Sequence, residues 1–379
     1  MDSNISTKNG SSITTISYSK ELIFYEVVAF LIFAGNLLVC VLFARKKVLL
    51  RKTYNIYFLI LSITDLLISF ALAMTPLFIL SDILPFSLHV RSAGSICRVL
   101  WSRWLLYTLG IFSIYICLLL TIERWFAVVK PLSYQGNFNK KKVTFSLVCA
   151  ASLALMFTSS TIIETTYSQD NIGAIRCRRR PISELYNRAW GLCRFLGECL
   201  IPSFIMLGLF IHVILKTHCS VAPMFDVTDR RLSNMGRTSQ TQKAVIKMIG
   251  TATFFMILCC LPNQTLYLLS KFGHAEIDTP LHHYLEVLTF FNSCINPAIY
   301  GITSKTFRKG YWEILLRLCP PRIRVRLAQT RGGLGESLGS VVFLVHAIHR
   351  RKSYDWRFEG MRPATTTNLN PSVLSATNL

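Results

Sequence analysis

The sequence predicts an all-α membrane protein: a seven-transmembrane helix bundle with a short amphipathic eighth helix. Three observations carry this. Between residues 22 and 303 the chain lays down seven apolar stretches, each with room for the ~20 residues that cross a bilayer. The third stretch ends in Glu123-Arg124-Trp125, and the seventh carries Asn296-Pro297-Ala298-Ile299-Tyr300. Polar and ionisable groups inside such stretches are costly, so those that remain are candidates for function.

The elements follow in order. Residues 1–21 are polar and predict a disordered, extracellular, glycosylated tail, with acceptors at Asn4-Ile5-Ser6 and Asn9-Gly10-Ser11. The first apolar run, 22–44, is too long for a signal peptide and is followed by basic residues, so it reads as the first span. The others fall at 54–80, 97–129, 143–166, 189–216, 244–270 and 281–303, the third being the longest and expected to tilt. All read as helices, because an open strand cannot satisfy its backbone in lipid. The segment 217–242 is polar and predicts a cytosolic loop. Residues 304–318 place Phe307, Tyr311, Ile314, Leu315 and Leu318 on one helical face, the pattern of an interfacial helix. Cys319 at its end is either an acylation site or an inert cysteine. The tail 319–379 predicts cytosolic disorder.

The chain has 379 residues, 52% hydrophobic and only 16% charged, too few charges to cover a soluble protein of this length. A net charge of +22 invites a nucleic-acid reading, but the basic residues sit in short clusters between the spans. Arg45, Lys46, Lys47, Arg51 and Lys52 follow the first; Lys140, Lys141 and Lys142 precede the fourth; Arg230, Arg231, Arg237, Lys243 and Lys247 surround the start of the sixth. This positive-inside distribution puts those loops and the C-terminus in the cytosol and the N-terminus outside, and nucleic acid drops out. Residues 304–379 hold 13 Lys/Arg against 4 Asp/Glu, a net +9, which draws a membrane-adjacent tail to anionic lipid. No enzyme motif and no inverted repeat of broken helices is present, which argues against an enzyme, a transporter or a channel.

Most of the 12 cysteines lie inside spans and read as small apolar residues. Cys97, at the outer start of the third span, and Cys177, in the second outer loop, face an oxidising compartment and are expected to bridge. No Cys-x-x-Cys pair or Cys/His cluster marks a metal site.

Several motifs then stand in register. The first span has Gly35-Asn36, and the second Leu61-Ser62-Ile63-Thr64-Asp65. The third ends in Glu123-Arg124-Trp125 and runs on to Lys130-Pro131-Leu132. The fifth has Pro202, the sixth Cys259-Cys260-Leu261-Pro262, and the seventh Asn296-Pro297-x-x-Tyr300 followed by Phe307-Arg308. In this order and spacing the chain resembles the rhodopsin-like (class A) G-protein-coupled receptors, and its Leu261-Pro262-Asn263-Gln264 run resembles the peptide receptors among them.

The resemblance implies roles. Glu123 would pair with Arg124 at rest, and activation would free the arginine toward a heterotrimeric G protein; the plainer reading is an arginine snorkelling to the cytosol. Leu132 would be an apolar plug into the G protein, with Trp125, Asn296, Pro297, Tyr300, Pro262 and Cys260 in the switch. Asp65, Ser113, Asn292, Ser293 and Asn296 match the residues that surround an allosteric sodium ion, and hard cations take such oxygen ligands; the alternative is a hydrated polar cluster. No other cofactor is implied. Departures are equally plain: Cys260 replaces the family's sixth-span tryptophan, Met256 a phenylalanine, and Phe210 the fifth-span tyrosine. The fourth span has no tryptophan, and Cys97 and Arg124 are about two residues further apart than is usual.

For the ligand, Leu106 stands where amine receptors carry an aspartate, and Phe290 where opsins carry the retinal lysine. What remains at the outer side is mixed charge. Arg103 lies 21 residues before Arg124, or ~31 Å up the helix at ~1.5 Å per residue. Arg194, Glu198 and Glu286 lie in outer halves of their spans, and Arg176, Arg178, Arg179 and Arg180 flank Cys177. With Tyr107, these suit a peptide carrying acidic residues or a free carboxylate, because arginine binds carboxylates bidentately. Against this, Arg194 and Glu198 are four apart and can simply pair with each other. The function expected is a plasma-membrane receptor for an extracellular peptide that activates G proteins. The alternative is an atypical receptor, scavenging or constitutively active, without ordinary switching. Thr377-Asn378-Leu379 fits capture by a PDZ domain. The nearby Thr365, Thr366, Thr367, Ser372 and Ser375 fit phosphorylation that recruits arrestin.

Overall fold

Pro76, Pro131 and Pro280 each open a helix in the computed structural model, which describes residues 7–79, 94–169, 175–180, 182–219 and 229–318. The first span is one helix, Thr7–Arg45. It starts well before residue 22, where the sequence predicts a disordered tail. No proline interrupts residues 7–45, and a glycine inside a helix costs only about 1 kcal/mol. Asn4 lies outside the described residues; Asn9 falls within the helix.

The second span, Thr53–Met74, gives way at Thr75 to a separate turn, Pro76–Ile79, because a proline lacks the backbone donor a helix needs. The third span departs most from expectation. Instead of a single helix over 97–129, a wide turn at Cys97–Trp101 is followed by Ser102 and Arg103, and the regular helix runs Trp104–Val129. Arg103 sits in the left-handed region (φ 59°). A non-glycine residue held there costs about 1–3 kcal/mol and persists only where its surroundings enforce it. The turn and break take up the two extra residues between Cys97 and Arg124.

Pro131 opens a short cytosolic helix, Pro131–Asn137. The fourth span, Lys140–Glu164, is capped by Asn139, whose side chain accepts from the Lys142 amide. It runs directly into β1 (Thr165–Gln169), which pairs antiparallel with β2 (Ile175–Arg179). Cys177, opposite Tyr167 in that ladder, is bonded to Cys97, as expected. The fifth span is Glu184–Arg194, a wide turn over Phe195–Leu200, and Ile201–Cys219; such a turn relieves the hydrogen bond that Pro202 cannot make. The sixth is Asp229–Lys271, with Pro262 inside it. The segment 217–242, read as loop, is therefore helical from Asp229. The seventh, Pro280–Thr303, is capped by Thr279 and contains Pro297. Lys305–Leu318 forms the eighth helix. Its Phe307 and Ile314 are buried and Tyr311 half-buried, whereas Leu315 is exposed; Cys319 and the tail lie outside the described residues. The chain divides into two units, Met1–Ile314 and Leu315–Leu379, and of the second only residues 315–318 are described.

Six of the described helices are long and apolar enough to cross a membrane. The seventh falls short because it carries His282, His283, Glu286, Asn292 and Asn296. The first span packs on the second and seventh, the third on the second, fourth and fifth, and the sixth on the seventh and fifth. The bundle buries charged groups within its apolar core and turns large apolar side chains outward: Asp65, Glu123, Glu198 and Glu286 are buried. Phe30, Phe70, Phe145, Phe204 and Phe254 are more than half exposed. That inversion suits a lipid surround.

Candidate functional site

Polar residues gather at three depths. At the outer mouth a small pocket is lined by Tyr107, Thr161, Glu164, Thr165, Arg179 and Arg194, with Asn263, Gln264, Tyr267 and His282 completing it. Its charges are already paired. Arg103, aimed inward by the break in the third span, meets Glu286 at 2.7 Å and also bonds Asp278. Glu286 accepts a further bond from the Tyr25 hydroxyl at 2.8 Å. Asp278 takes a second guanidinium from Arg179 at 3.3 Å. Burial pushes the Asp278 carboxyl up, but Arg103 and Arg179 together hold it well below the usual carboxylate range. On the opposite wall Arg194 donates to Glu198 at 2.7 Å and to the Tyr267 hydroxyl at 2.9 Å. Gln264 donates to Glu198 at 3.2 Å, and Lys271 reaches Glu164 at 2.8 Å.

This is the internal pairing that the four-residue spacing of Arg194 and Glu198 allows. Arg103, Arg194, Glu198 and Glu286, which the sequence offers as ligand contacts, are all engaged within the protein. Breaking a buried pair by removing one partner costs about 3–5 kcal/mol, so these four residues hold the outer ends of the helices together whatever else they do. The arginines of β2 divide by strand alternation. Arg179 points inward to Asp278 and over the Trp101 ring. Arg176, Arg178 and Arg180 are exposed.

At mid-depth Asp65 is fully buried. It accepts from Ser293 at 2.8 Å, Asn296 at 3.3 Å and Ser113 at 3.4 Å. The side-chain oxygens of Asn292 and Asn296 are buried without partners. A buried carboxylate beside two orphaned carbonyl oxygens is a donor set for a hard cation.

At the cytosolic end Glu123 and Arg124 pair through two charge-assisted bonds. Sequence reasoning missed the rest of this cluster. The Tyr134 hydroxyl, on the short helix after Pro131, donates to Glu123 and lies 3.4 Å from Arg124. Burial, and then its bond to Glu123, push Tyr134 up to about 12. The Arg124 guanidinium lies 4.3 Å from the Tyr54 ring centroid. Trp125 donates to His212 of the fifth span at 3.1 Å. Leu132 is almost wholly exposed. Pro297 and Tyr300 of the seventh span, and Cys260 of the sixth, are buried; Pro262 is exposed. Only the Tyr-three-after-Pro131 spacing could have flagged Tyr134 in advance.

Residues 35–300 match the model of the 7 transmembrane receptor (rhodopsin family). The chain belongs to this family. The receptor is 26% identical over 288 residues to galanin receptor 2a of Danio rerio, covering 74% of its own chain and 73% of that protein. It is 24% identical to neuropeptide FF receptor 1 of Rattus norvegicus, covering 84% and 77%. It is 27% identical to trace amine-associated receptor 4 of Rattus norvegicus, covering 73% and 79%. The receptor is thus a multi-pass membrane protein similar to receptors named for peptide and for amine ligands, and not an enzyme.

Proposed function

We propose that this receptor sits in the plasma membrane with its N-terminus outside, binds an extracellular peptide bearing a carboxylate, and activates heterotrimeric G proteins. The observation that carries the choice of ligand is Leu106. It is buried among Tyr25, Ile68, Leu72, Val287 and Phe290, so an ammonium would meet hydrocarbon where it needs a counter-ion. That weighs against the amine-named relatives and toward those named for galanin and neuropeptide FF. The exposed Arg178 and Arg180 draw an anionic ligand in, and its carboxylate exchanges with Asp278 for Arg179 and Arg103. Binding then shifts a two-state bundle toward a form in which Arg124 leaves Glu123.

The orphaned oxygens around Asp65 support a sodium ion as allosteric modulator, held by Asp65, Ser113, Asn292, Ser293 and Asn296. Arrestin, a PDZ protein at Thr377-Asn378-Leu379 and anionic lipid are further partners proposed for the tail, and these residues, like Cys319, lie outside the described ones. A screen of peptide and amine libraries on cells expressing the receptor, read through several G-protein families, tests the proposal. Activation by peptides, weakened by blocking their carboxylates, is expected; a response to amines alone overturns it. The second reading, an atypical receptor, draws on Cys260 and Phe210. It is the outcome if ligand binds and no G protein responds.

A further inference from the structure

The loop before the seventh span and the first turn of that span bring two histidines beside Asp278 of the outer ion-pair network. Asp278, His282 and His283 each offer a ligand atom, and these atoms lie within 4.8 Å of one another. From these residues we infer a binding site for a divalent transition-metal ion of the Zn²⁺ type at the outer mouth.

The local backbone builds it. Asp278 takes a left-handed conformation (φ 64°), which aspartate tolerates better than most residues. The chain then turns at once into the Thr279 cap, with Pro280 as the first helical residue. His282 and His283 fall in that first turn, one on the cavity wall and one toward the first span.

His283 keeps a free lone pair, whereas a metal ion at His282 Nδ1 must take the place of the Asp278 amide proton. The Asp278 backbone amide donates to His282 Nδ1 at 3.1 Å, so that nitrogen is an acceptor. His283 Nδ1 lies 3.0 Å from the Glu21 carboxylate, and as the donor of that pair it leaves Nε2 as the ring's free ligand atom. His283 is 93% buried, and its Nε2 is buried without any partner. A metal-ligating histidine characteristically gives its other N–H to a carboxylate, which fixes the ring and raises its basicity. Glu21 is placed to do this. It is buried, and among the described residues its ion-pair partner is His283. The charges fit as well. Arg103 and Arg179 pair with Asp278 and Glu286, and Glu21 beside His283 adds one further negative charge for a cation to meet.

Asp278 retains room. A carboxylate has about four acceptor positions, and the two arginines take two of them, both on Oδ1. Two imidazoles and one carboxylate with an open fourth position suit Zn²⁺ and do not suit Mg²⁺ or Ca²⁺, which want oxygen donors. Tetrahedral bonds of about 2.0–2.2 Å hold ligands roughly 3.4 Å apart, so the ring torsions close the cluster by about 1 Å.

The test uses the purified full chain in lipid nanodiscs, titrated with ZnCl₂ by calorimetry and by thermal unfolding. One ion per receptor and a raised unfolding temperature are expected, with no rise in MgCl₂. His283→Gln removes a ligand and Glu21→Gln only the carboxylate behind it. The second should weaken Zn²⁺ by about 10–100-fold, and the first by at least as much. Should His283→Gln fail to fold, Glu21→Gln decides alone, since both rings remain. Cys149 and Cys193 are exposed thiols, so CoCl₂ is added in place of zinc. Bands from nitrogen and oxygen ligands support the site. Thiolate charge-transfer bands, or equal affinity in wild type and Glu21→Gln, overturn it.

Discussion

The Phe210 ring occupies the space that a side chain at position 250 would fill: a Cβ added at Gly250 would stand 2.1 Å from it. The fifth and sixth spans therefore meet through a ring seated against bare backbone. Gly250→Ala should force them apart. Overpacking of this kind costs about 1–3 kcal/mol, and the strain falls between two spans that flank the proposed cytosolic opening. Raised basal signalling with lowered thermal stability is expected. Phe210→Ala in the same chain should restore both, because the two changes share one contact. Additive effects in that double variant would refute the packing argument.

Tyr134→Phe deletes the hydroxyl that donates to Glu123. Hydrogen bonds to charged groups are worth about 1.5–3 kcal/mol, and the loss weakens the hold on Arg124. Basal nucleotide exchange on the G protein should rise several-fold. In Arg124→Ala, by contrast, activation should vanish while ligand affinity survives, since the cluster lies at the cytosolic end. Full signalling by well-expressed Arg124→Ala would remove the arginine from the mechanism.

Asp65→Asn should abolish any effect of sodium on agonist affinity, because Asp65 carries the only formal charge among Ser113, Asn292, Ser293 and Asn296. Coupling between ion and agonist is reciprocal, so the comparison is an agonist isotherm in sodium against one in a bulky organic cation. Identical isotherms for the wild type would mean a hydrated cluster.

Reversing Arg178 and Arg180 to glutamate should slow association with a carboxylate-bearing peptide and leave its dissociation rate nearly unchanged. Both side chains are exposed. Exposed charges are screened over about 10 Å at 0.1 M salt, so the effect should shrink as salt rises. Stopped-flow traces at two ionic strengths measure it. Arg179→Glu is a different case. It breaks the contact with Asp278 and should lower thermal stability as well.

Cys97→Ser and Cys177→Ser should each destabilise the outer face by about 2–5 kcal/mol, the usual cost of losing a native disulfide. The double variant should be no worse than either single one. Surface expression and ligand binding should fall together in all three.

The seven spans were legible because hydrophobic length is a chain-local property. The pairing of Glu123 with Arg124, and the gathering of Ser113, Ser293 and Asn296 at Asp65, were expected only through the family resemblance, since the partners of Asp65 lie 48, 228 and 231 residues away. The outer network was only half legible. Arg194 and Glu198 lie one helical turn apart, so their pairing could be weighed from sequence. Arg103 meeting Glu286 and Asp278 could not, since those partners lie 183 and 175 residues away. Tyr25 and Tyr134 escaped because a tyrosine in a span or beside one carries no sequence mark of its hydrogen bond. Helix ends at Thr7 and Asp229 were missed for another reason. Polar sequence was read as loop, yet polarity does not stop a helix where proline is absent.

The break at Arg103 has one more consequence, for the rotational phase of the third span. Each residue turns a helix by about 100°, so two extra residues in an unbroken helix would rotate one end against the other by about 200°. Cys97 would then face away from β2, or Ser113 away from Asp65. Because the wide turn and the left-handed Arg103 take up the excess within a few residues of the outer surface, Cys97 reaches Cys177 while Ser113 and Arg124 keep their azimuth. The outer rim of this span thus absorbs a change in length without rotating the residues below it, with the pairing of Arg103 to Glu286 and Asp278 pinning the joint.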